Sequence, residues 1–192
     1  MREATLTRKT GETEIEIVLN LNRKGESKIS TGIGFFDHML NLFAFQAEVA
    51  LSVTANGDLN VDGHHTVEDV GIVLGQAVKN ALGDKIGINR YGSAKIPMDD
   101  VLVETVLDIS NRPYLVFNVE LPVYKVGDFE TELTEEFFRA FAVNAGITLH
   151  INVAYGKNAH HIIEGIFKSF GRALGEAIKI SSDDIPSTKG VL

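Results

Sequence analysis

One short motif occurs twice in this chain, and this repeat constrains the possible fold more than any other sequence feature. The first copy is His64-His65-Thr66-Val67-Glu68, and the second is His160-His161-Ile162-Ile163-Glu164, which lies 96 residues later (160 − 64). Each copy opens an apolar run whose spacing is typical of a helix. We therefore expect a duplicated unit in which two equivalent helices begin with the same polar cluster.

The motif carries two imidazoles and a carboxylate, which are good ligands for a divalent transition metal. On a helix, the glutamate follows the first histidine by four residues and the second by three, so each pair shares a face. The two histidines are about 100° apart around the helix axis, so they suit two metals better than one. A single copy could equally be a polar helix face, but the two copies hold four of the six histidines.

The two halves of the chain align beyond the motif. Upstream of it an offset of 98 residues pairs Phe43 with Phe141 and Val53 with Ile151, and from the motif onward an offset of 96 pairs Gly75 with Gly171. The pattern predicts an α+β fold made of internally duplicated β–β–α–β–α half-domains, each a sheet with two helices on one face. The expected halves are residues 1–86 and 87–192, together forming one compact catalytic unit.

Individual elements follow from periodicity and turn residues. In the first half we predict a strand over 4–20 with a hairpin or bulge at Gly11, a turn over 22–26, a strand over 28–34, a helix over 35–45, a strand over 49–53 and a motif helix that ends near Gly83. In the second half we predict strands over 101–109, 114–119 and 147–151, a helix over 133–142, and the second motif helix.

Composition excludes several classes of function. There is no cysteine, so disulfides and thiolate metal sites are absent, and the net charge of −8 argues against nucleic acid as a partner. The sequence has no apolar run near 18 residues, which argues against a membrane span, and the N-terminal residues lack the apolar segment of a signal peptide. A cytoplasmic location is the expectation.

Two further positions join the repeat. The offset of 98 places His38 opposite Glu136, so each half would supply one residue from its earlier helix in addition to its own motif. His38 could instead be a helix-start histidine without a ligand role. Glu136 stands next to Glu135 and could as well be a solvated helix residue.

Basic residues stand in contexts that suit a phosphate. Arg90 lies in Asn89-Arg90-Tyr91-Gly92, Arg112 precedes Pro113, and Lys168 follows Glu164 by one helical turn. A C-terminal tail, Ser187-Thr188-Lys189-Gly190, adds Ser187 and Lys189. The competing interpretation is ordinary surface charge and a frayed tail, because sequence spacing does not show whether these residues converge.

These residues together resemble the imidazoleglycerol-phosphate dehydratase family of histidine biosynthesis. The similarity runs from Arg8-Lys9-Thr10-Gly11-Glu12-Thr13 through Gly34-Phe35-Phe36-Asp37-His38, both His-His-x-x-Glu motifs and the C-terminal tail, so it covers nearly the whole chain. The paired motifs are its most specific part.

The resemblance implies a set of functional residues. It implies two Mn²⁺ ions per active site, bound by His38, His64, His65, Glu68, His160, His161 and Glu164, with Glu136 at an eighth position that is often histidine in the family. It assigns substrate-phosphate contacts to Arg90, Arg112, Lys168, Ser187 and Lys189, and places Glu12 at the reacting carbon. It also implies a homo-oligomer, a 24-subunit shell built from trimers with shared active sites.

The implied reaction removes water from the glycerol side chain of D-erythro-imidazole glycerol phosphate and leaves the ketone imidazole acetol phosphate. The departing proton has no neighbouring carbonyl, so its acidity must come from the ring. A metal on a ring nitrogen favours the imidazolate, which can expel the C3 hydroxyl to give a diazafulvene before the C2 proton leaves. The hypothesis makes Glu12 the acid–base group, with His38, His64, Glu68, His160 and Glu164 holding the metals at the catalytic site.

Two other functions compete with this one. A dinuclear metal hydrolase acting on a phosphate ester uses similar ligands, and a non-catalytic protein could use the motifs to store metal or to organise subunits. The Arg and Lys contexts count against storage, because a metal store does not need them. The ligand set also does not fix the metal, since zinc or nickel would bind it more tightly than manganese and cellular supply decides.

Overall fold

The computed structural model describes residues 2–22 and 24–192, and over these residues the chain forms ten strands and four helices. The first half contains β1 (Glu3–Lys9), β2 (Thr13–Asn20), β3 (Lys28–Ser30), α1 (Gly34–Ala47), β4 (Ala50–Gly57) and α2 (His64–Leu82). The second half contains β5 (Tyr91–Met98), β6 (Val101–Asp108), β7 (Tyr114–Asn118), β8 (Lys125–Val126), β9 (Phe129–Glu130), α3 (Leu133–Ala145), β10 (Thr148–Tyr155) and α4 (Ala159–Ala177). The turn expected over 22–26 includes Arg23, which lies outside the described residues.

The two large sheets have the same strand order, which confirms the duplicated α+β architecture. The first is ordered β1-β2-β4-β3 and the second β5-β6-β10-β7. In each sheet the first two strands along the chain form an antiparallel hairpin. The third strand along the chain pairs in parallel with the fourth. The boundary proposed at residues 86 and 87 falls between α2 and β5.

The large sheet of each half has one strand more than the sequence pattern predicted. The break at Gly11 is a full hairpin between β1 and β2, and β5 was not predicted. β5 is an edge strand containing Pro97, and proline is tolerated at an edge because no ladder hydrogen bond is required of it there. The short β8–β9 hairpin was also not predicted, and it has no counterpart in the first half.

The four helices pack against the inner faces of the sheets and against each other. α2 lies on β1 and β2, α4 lies on β5 and β6, and the helices form two pairs, α1 with α4 and α2 with α3. Each pair therefore joins the two halves. Aromatic rings fill the centre, where Phe137 stacks on Phe167 with ring centroids 5.3 Å apart and Phe36 meets Phe137 edge-on at 5.4 Å. Burying apolar side chains of this size stabilises a fold by about 1.5–3 kcal/mol each.

Glycines allow both helix pairs to cross at very short range. A Cβ atom added to Gly171 of α4 would lie 2.7 Å from the Phe43 carbonyl oxygen of α1, and one added to Gly75 of α2 would lie 2.6 Å from the Phe141 carbonyl oxygen of α3. Gly175 meets Ala47 one turn further along both helices, so α1 and α4 run in the same direction. The contacts of Gly71 with Phe137 show the same for α2 and α3.

The parallel pairs gather the helix N-termini at one end of the molecule. Gly63, which precedes α2, packs between the side chains of Ile33 before α1 and Leu133 at the start of α3. Both His-His-x-x-Glu motifs begin their helices, so this fold places them at that common end. No helix in the described parts of the chain has the length and apolarity to cross a membrane.

Replacing Gly171 by alanine tests the close crossing. The methyl group gains about 1 kcal/mol in helix propensity, but it must displace a backbone carbonyl, and overpacking of this kind costs about 1–3 kcal/mol. We expect Gly171→Ala to lower the free energy of unfolding, measured by urea denaturation of metal-free protein. The control is Gly34→Ala in the first turn of α1, where an added Cβ has no neighbour within 4 Å. Equal stability of the two variants would contradict the account.

Candidate metal centre

Three predicted ligands from two different helices form a compact group. His38 comes from the first turn of α1, while His160 and Glu164 come from the start of α4. Glu164 Oε2 lies 3.2 Å from His160 Nε2 and 3.6 Å from His38 Nε2. All three ligand atoms lie within 4.8 Å of one another, and within residues 2–22 and 24–192 this is the only such group of three. The carboxylate is buried and the imidazoles are accessible, so an ion can approach from the solvent side.

Neighbouring polar groups favour the ionised form of the Glu164 carboxyl, which is the form that binds a cation. Burial acts to raise the pKa of the Glu164 carboxyl, but hydrogen bonds from Lys168 and His160 lower it, and the net direction is down. Lys168 Nζ lies 2.6 Å from Glu164 Oε1, which leaves Oε2 facing the two imidazoles. The predicted substrate-binding lysine is therefore placed beside the metal ligands.

The first motif is more open. His64 Nε2 lies 4.0 Å from Glu68 Oε2, and both side chains are 43% exposed. Glu136 lies five residues before Phe141, as His38 lies five before Phe43, so the equivalent crossings place it where the repeat predicts. Over the described residues, however, it forms no three-ligand group with His64 and Glu68, and its ligand role stays a prediction.

Glu12 is held beside His65 by its own hairpin. Its Oε1 lies 3.8 Å from His65 Nε2. On either side of it, Arg8 and Thr13 both donate hydrogen bonds to the buried carboxylate of Asp69 on α2. The Arg8–Thr13 segment thus has a structural task, which is to anchor the β1–β2 turn against the motif helix.

Sequence reasoning missed the aspartates that contact the second histidine of each motif. His65 Nδ1 lies 3.0 Å from Asp58 Oδ2, and His161 Nδ1 lies 2.7 Å from Asp100 Oδ1. Asp99 Oδ2 is 3.5 Å from His161 Nε2. Asp58 follows β4 directly, and the turn that carries Asp99 and Asp100 was not recognised because β5 was not predicted.

A second cluster gathers three of the predicted phosphate-binding elements. Arg90 donates hydrogen bonds to the Asp108 carboxylate from Nε at 2.7 Å and from Nη2 at 3.1 Å. Its Nη1 donates to the Pro186 carbonyl at 2.9 Å. Arg112 Nη2 reaches the same carboxylate at 3.5 Å and is 67% exposed. The tail residues Ser187 and Lys189 follow Pro186 directly in a turn closed by the hydrogen bond from Gly190 N to Ser187 O.

The arginine cluster and the metal ligands lie at opposite ends of the same elements. Arg90 N donates to the carbonyl of Ala177, at the end of α4, while His161 is at its start, about 24 Å away at 1.5 Å per residue. β5 spans the same distance between the two clusters. It begins at Tyr91, which pairs with Asp108 of the arginine cluster, and ends at Met98, next to the Asp99–Asp100 turn that contacts His161. One small molecule therefore cannot contact both clusters of a single chain.

Metal affinity should depend on pH in a defined direction. The pKa of His65 is raised, chiefly by the hydrogen bond to Asp58 and also by the charge of Glu12, so this imidazole keeps its proton to a higher pH than an ordinary histidine. A metal must displace that proton. The pKa of Asp100 is lowered to about 2, so it stays ionised throughout. We expect Mn²⁺ affinity, measured from free Mn²⁺ by electron paramagnetic resonance, to fall as pH drops from 8 to about 5.5. A flat profile would contradict the imidazole ligands.

Comparison with known proteins agrees with this geometry. The sequence model of the family described as imidazoleglycerol-phosphate dehydratase matches residues 31–174. The enzyme of that name from Acetivibrio thermocellus is 59% identical, over 100% of this chain and 99% of its own, and the one from Listeria welshimeri is 59% identical, over 100% of both. These relatives confirm the enzyme class, a dehydratase.

Solved structures agree with the fold. The crystal structure of imidazoleglycerol-phosphate dehydratase from Staphylococcus aureus superposes with a TM-score of 0.86 at 45% identity, covering 93% of this chain and 99% of that one. The structure of IGPD from Pyrococcus furiosus in complex with (S)-C348 gives 0.85 at 40% identity, covering 97% and 100%. The resemblance inferred from the paired motifs is confirmed, and the chain belongs to the imidazoleglycerol-phosphate dehydratase family.

Proposed function

We propose that this chain dehydrates D-erythro-imidazole glycerol phosphate to imidazole acetol phosphate in histidine biosynthesis, in the cytoplasm, using two Mn²⁺ ions per active site. The observation that carries the proposal is the convergence of His38, His160 and Glu164 from α1 and α4, in a chain of the dehydratase family. The remaining predicted ligands, His64, His65, Glu68, Glu136 and His161, belong to the same cluster of helix starts.

The donor chemistry fits a divalent cation. His38, His160 and Glu164 offer two imidazole nitrogens and one ionised oxygen, a combination that Mn²⁺ accepts alongside several other divalent metals. The buried carboxylate is paired with Lys168, so it is not left as an uncompensated charge when the site is empty. When bound, the ions supply Lewis-acid charge that favours the deprotonated imidazole ring of the substrate.

The side chains of the protein then have separate tasks. Glu12, fixed by its hairpin beside His65, removes the C2 proton of the diazafulvene that remains when the C3 hydroxyl leaves. Arg112 is exposed, and only a 3.5 Å contact joins it to Asp108, so we assign it to the phosphate. Arg90 already donates to Asp108 and Pro186, so its contribution is to hold Arg112 and the tail of Ser187 and Lys189 in place. Anchoring the phosphate keeps the reacting end of the substrate oriented.

The separation of the two clusters supports an active site shared between subunits. Within one chain about 24 Å of α4 lies between His161 and the residue that contacts Arg90, which is longer than the substrate. A complete site then takes its metal ligands from one subunit and its arginine cluster from another. This extends the proposal to a homo-oligomer, a 24-subunit shell assembled from trimers.

One activity assay tests the proposed function. Mn²⁺-loaded protein is incubated with imidazole glycerol phosphate, and we expect imidazole acetol phosphate to accumulate with no inorganic phosphate. Release of inorganic phosphate would favour a metal-dependent phosphoesterase instead, since two-metal sites of this type also hydrolyse phosphate esters. No product of either kind would favour a role in metal storage.

Replacing Glu12 by glutamine tests the acid–base assignment. Glutamine keeps the size of the side chain but carries no exchangeable carboxyl proton, and groups of this kind typically contribute about 10²–10⁴-fold to the rate. We expect kcat to fall by that order while metal content, particle size and KM change little. Glu14→Gln on the adjacent strand is the matched control, because among residues 2–22 and 24–192 Glu14 pairs only with Lys9, in an exposed ion pair. Near-normal turnover of Glu12→Gln would make Glu12 a structural residue.

A further inference from the structure

The second histidine of each motif has an aspartate on its Nδ1 nitrogen. His65 Nδ1 lies 3.2 Å and 3.0 Å from the two carboxylate oxygens of Asp58, and His161 Nδ1 lies 2.7 Å from Asp100 Oδ1. A carboxylate offers only acceptor oxygens, so in each pair Nδ1 carries the hydrogen. The other ring nitrogen, Nε2, is then the one with a free lone pair in the neutral ring, and it faces Glu12 in one case and Asp99 in the other.

The aspartates are themselves fixed. Asp100 Oδ2 accepts hydrogen bonds from the backbone nitrogens of Lys157 at 2.9 Å and Asn158 at 3.2 Å, which leaves Oδ1 for His161. The backbone of Asp58 is tied to the β1–β2 turn, because Asp58 N donates to the Glu12 carbonyl at 3.1 Å. The Asp100 carboxylate is therefore held by two backbone donors, and the Asp58 backbone is held by the hairpin that carries Glu12.

The two aspartates are not copies of one another. Asp58 follows β4 and precedes its histidine by seven residues, whereas Asp100 lies in the β5–β6 turn and precedes its histidine by 61. The internal repeat therefore does not account for the matched contacts, and each half has reached the same arrangement with a residue from a different element. The first histidines of the motifs differ, because His64 and His160 contact their glutamates through Nε2.

We propose that Asp58 and Asp100 are positioning residues, which hold His65 and His161 in the Nδ1–H tautomer and aim each Nε2 at a bound divalent metal. The inference deepens the proposed function, since it rests on these two histidines being metal ligands. Carboxylates in this position fix the orientation of a ligating imidazole and increase its basicity, and their loss typically costs 10–100-fold in metal affinity.

The first test needs no variant. We expect 15N solid-state NMR of metal-free, histidine-labelled protein above neutral pH to show His65 and His161 as Nδ1–H tautomers, with signals assigned by difference from His65→Gln and His161→Gln. The Nε2–H tautomer at both rings would overturn the inference.

The second test measures the affinity for Mn²⁺ alone by competition with a chelating dye. We expect Asp58→Asn and Asp100→Asn each to weaken binding about 10–100-fold, with the melting temperature of the metal-free protein little changed. The control Asp84→Asn removes an exposed acidic charge beyond the far end of α2 and should bind as the unaltered chain does. If Asp100→Asn fails to fold, Asp58→Asn and the tautomer measurement decide.

The outcomes separate this inference from the proposed function. Tight Mn²⁺ binding by the unaltered chain with no loss in Asp58→Asn would overturn the positioning role and leave the metal site intact. No Mn²⁺ binding by the unaltered chain would overturn both.

Discussion

The whole arrangement depends on two close parallel helix crossings. α4 approaches α1 through Gly171 and Gly175, and α2 approaches α3 through Gly71 and Gly75, each with too little space for a Cβ atom. Because the helices of a pair run in the same direction, the crossing fixes which side chains meet at their starts. His38 is thereby brought to His160 and Glu164, although it belongs to the other half of the chain. The candidate metal centre is a consequence of helix packing between the halves.

Charge is distributed along the molecule in accordance with this packing. The end that collects the helix starts carries the imidazoles together with acidic side chains such as Glu12, Asp58 and Asp100, which favour a bound cation. The opposite end carries Arg90 and Arg112, which both contact the Asp108 carboxylate. The shared active site that we propose would bring these two ends together from two different chains.

The sequence was sufficient for the repeat and the α+β class, because these follow from residue type and periodicity. It also predicted candidate ligands, of which the structure brings His38, His160 and Glu164 together. It could not show that His38 pairs with the second motif, since spacing along one helix does not reveal which helix packs against it. β5 was missed because an edge strand with a proline has a weak signature. Because β5 was not predicted, the turn that contains Asp100 was not predicted either, and the contact of Asp100 with His161 spans 61 residues of sequence. Arg90 was predicted to bind phosphate, and only the structure shows that its Nε, Nη1 and Nη2 also donate to Asp108 and Pro186.

We propose that a working site combines the metal ligands of one subunit with the arginine cluster of another, and subunit complementation is the decisive experiment. His160→Ala removes a ligand from the metal end, and Arg112→Ala removes the exposed arginine from the other end. Each variant alone should be inactive or nearly so. The two are co-expressed with different affinity tags, and the mixed assembly is isolated by both tags in sequence. We expect the mixed assembly to regain dehydratase activity, because some sites then combine intact metal ligands from one variant with an intact arginine cluster from the other. Mixed assemblies no more active than either variant alone would contradict it.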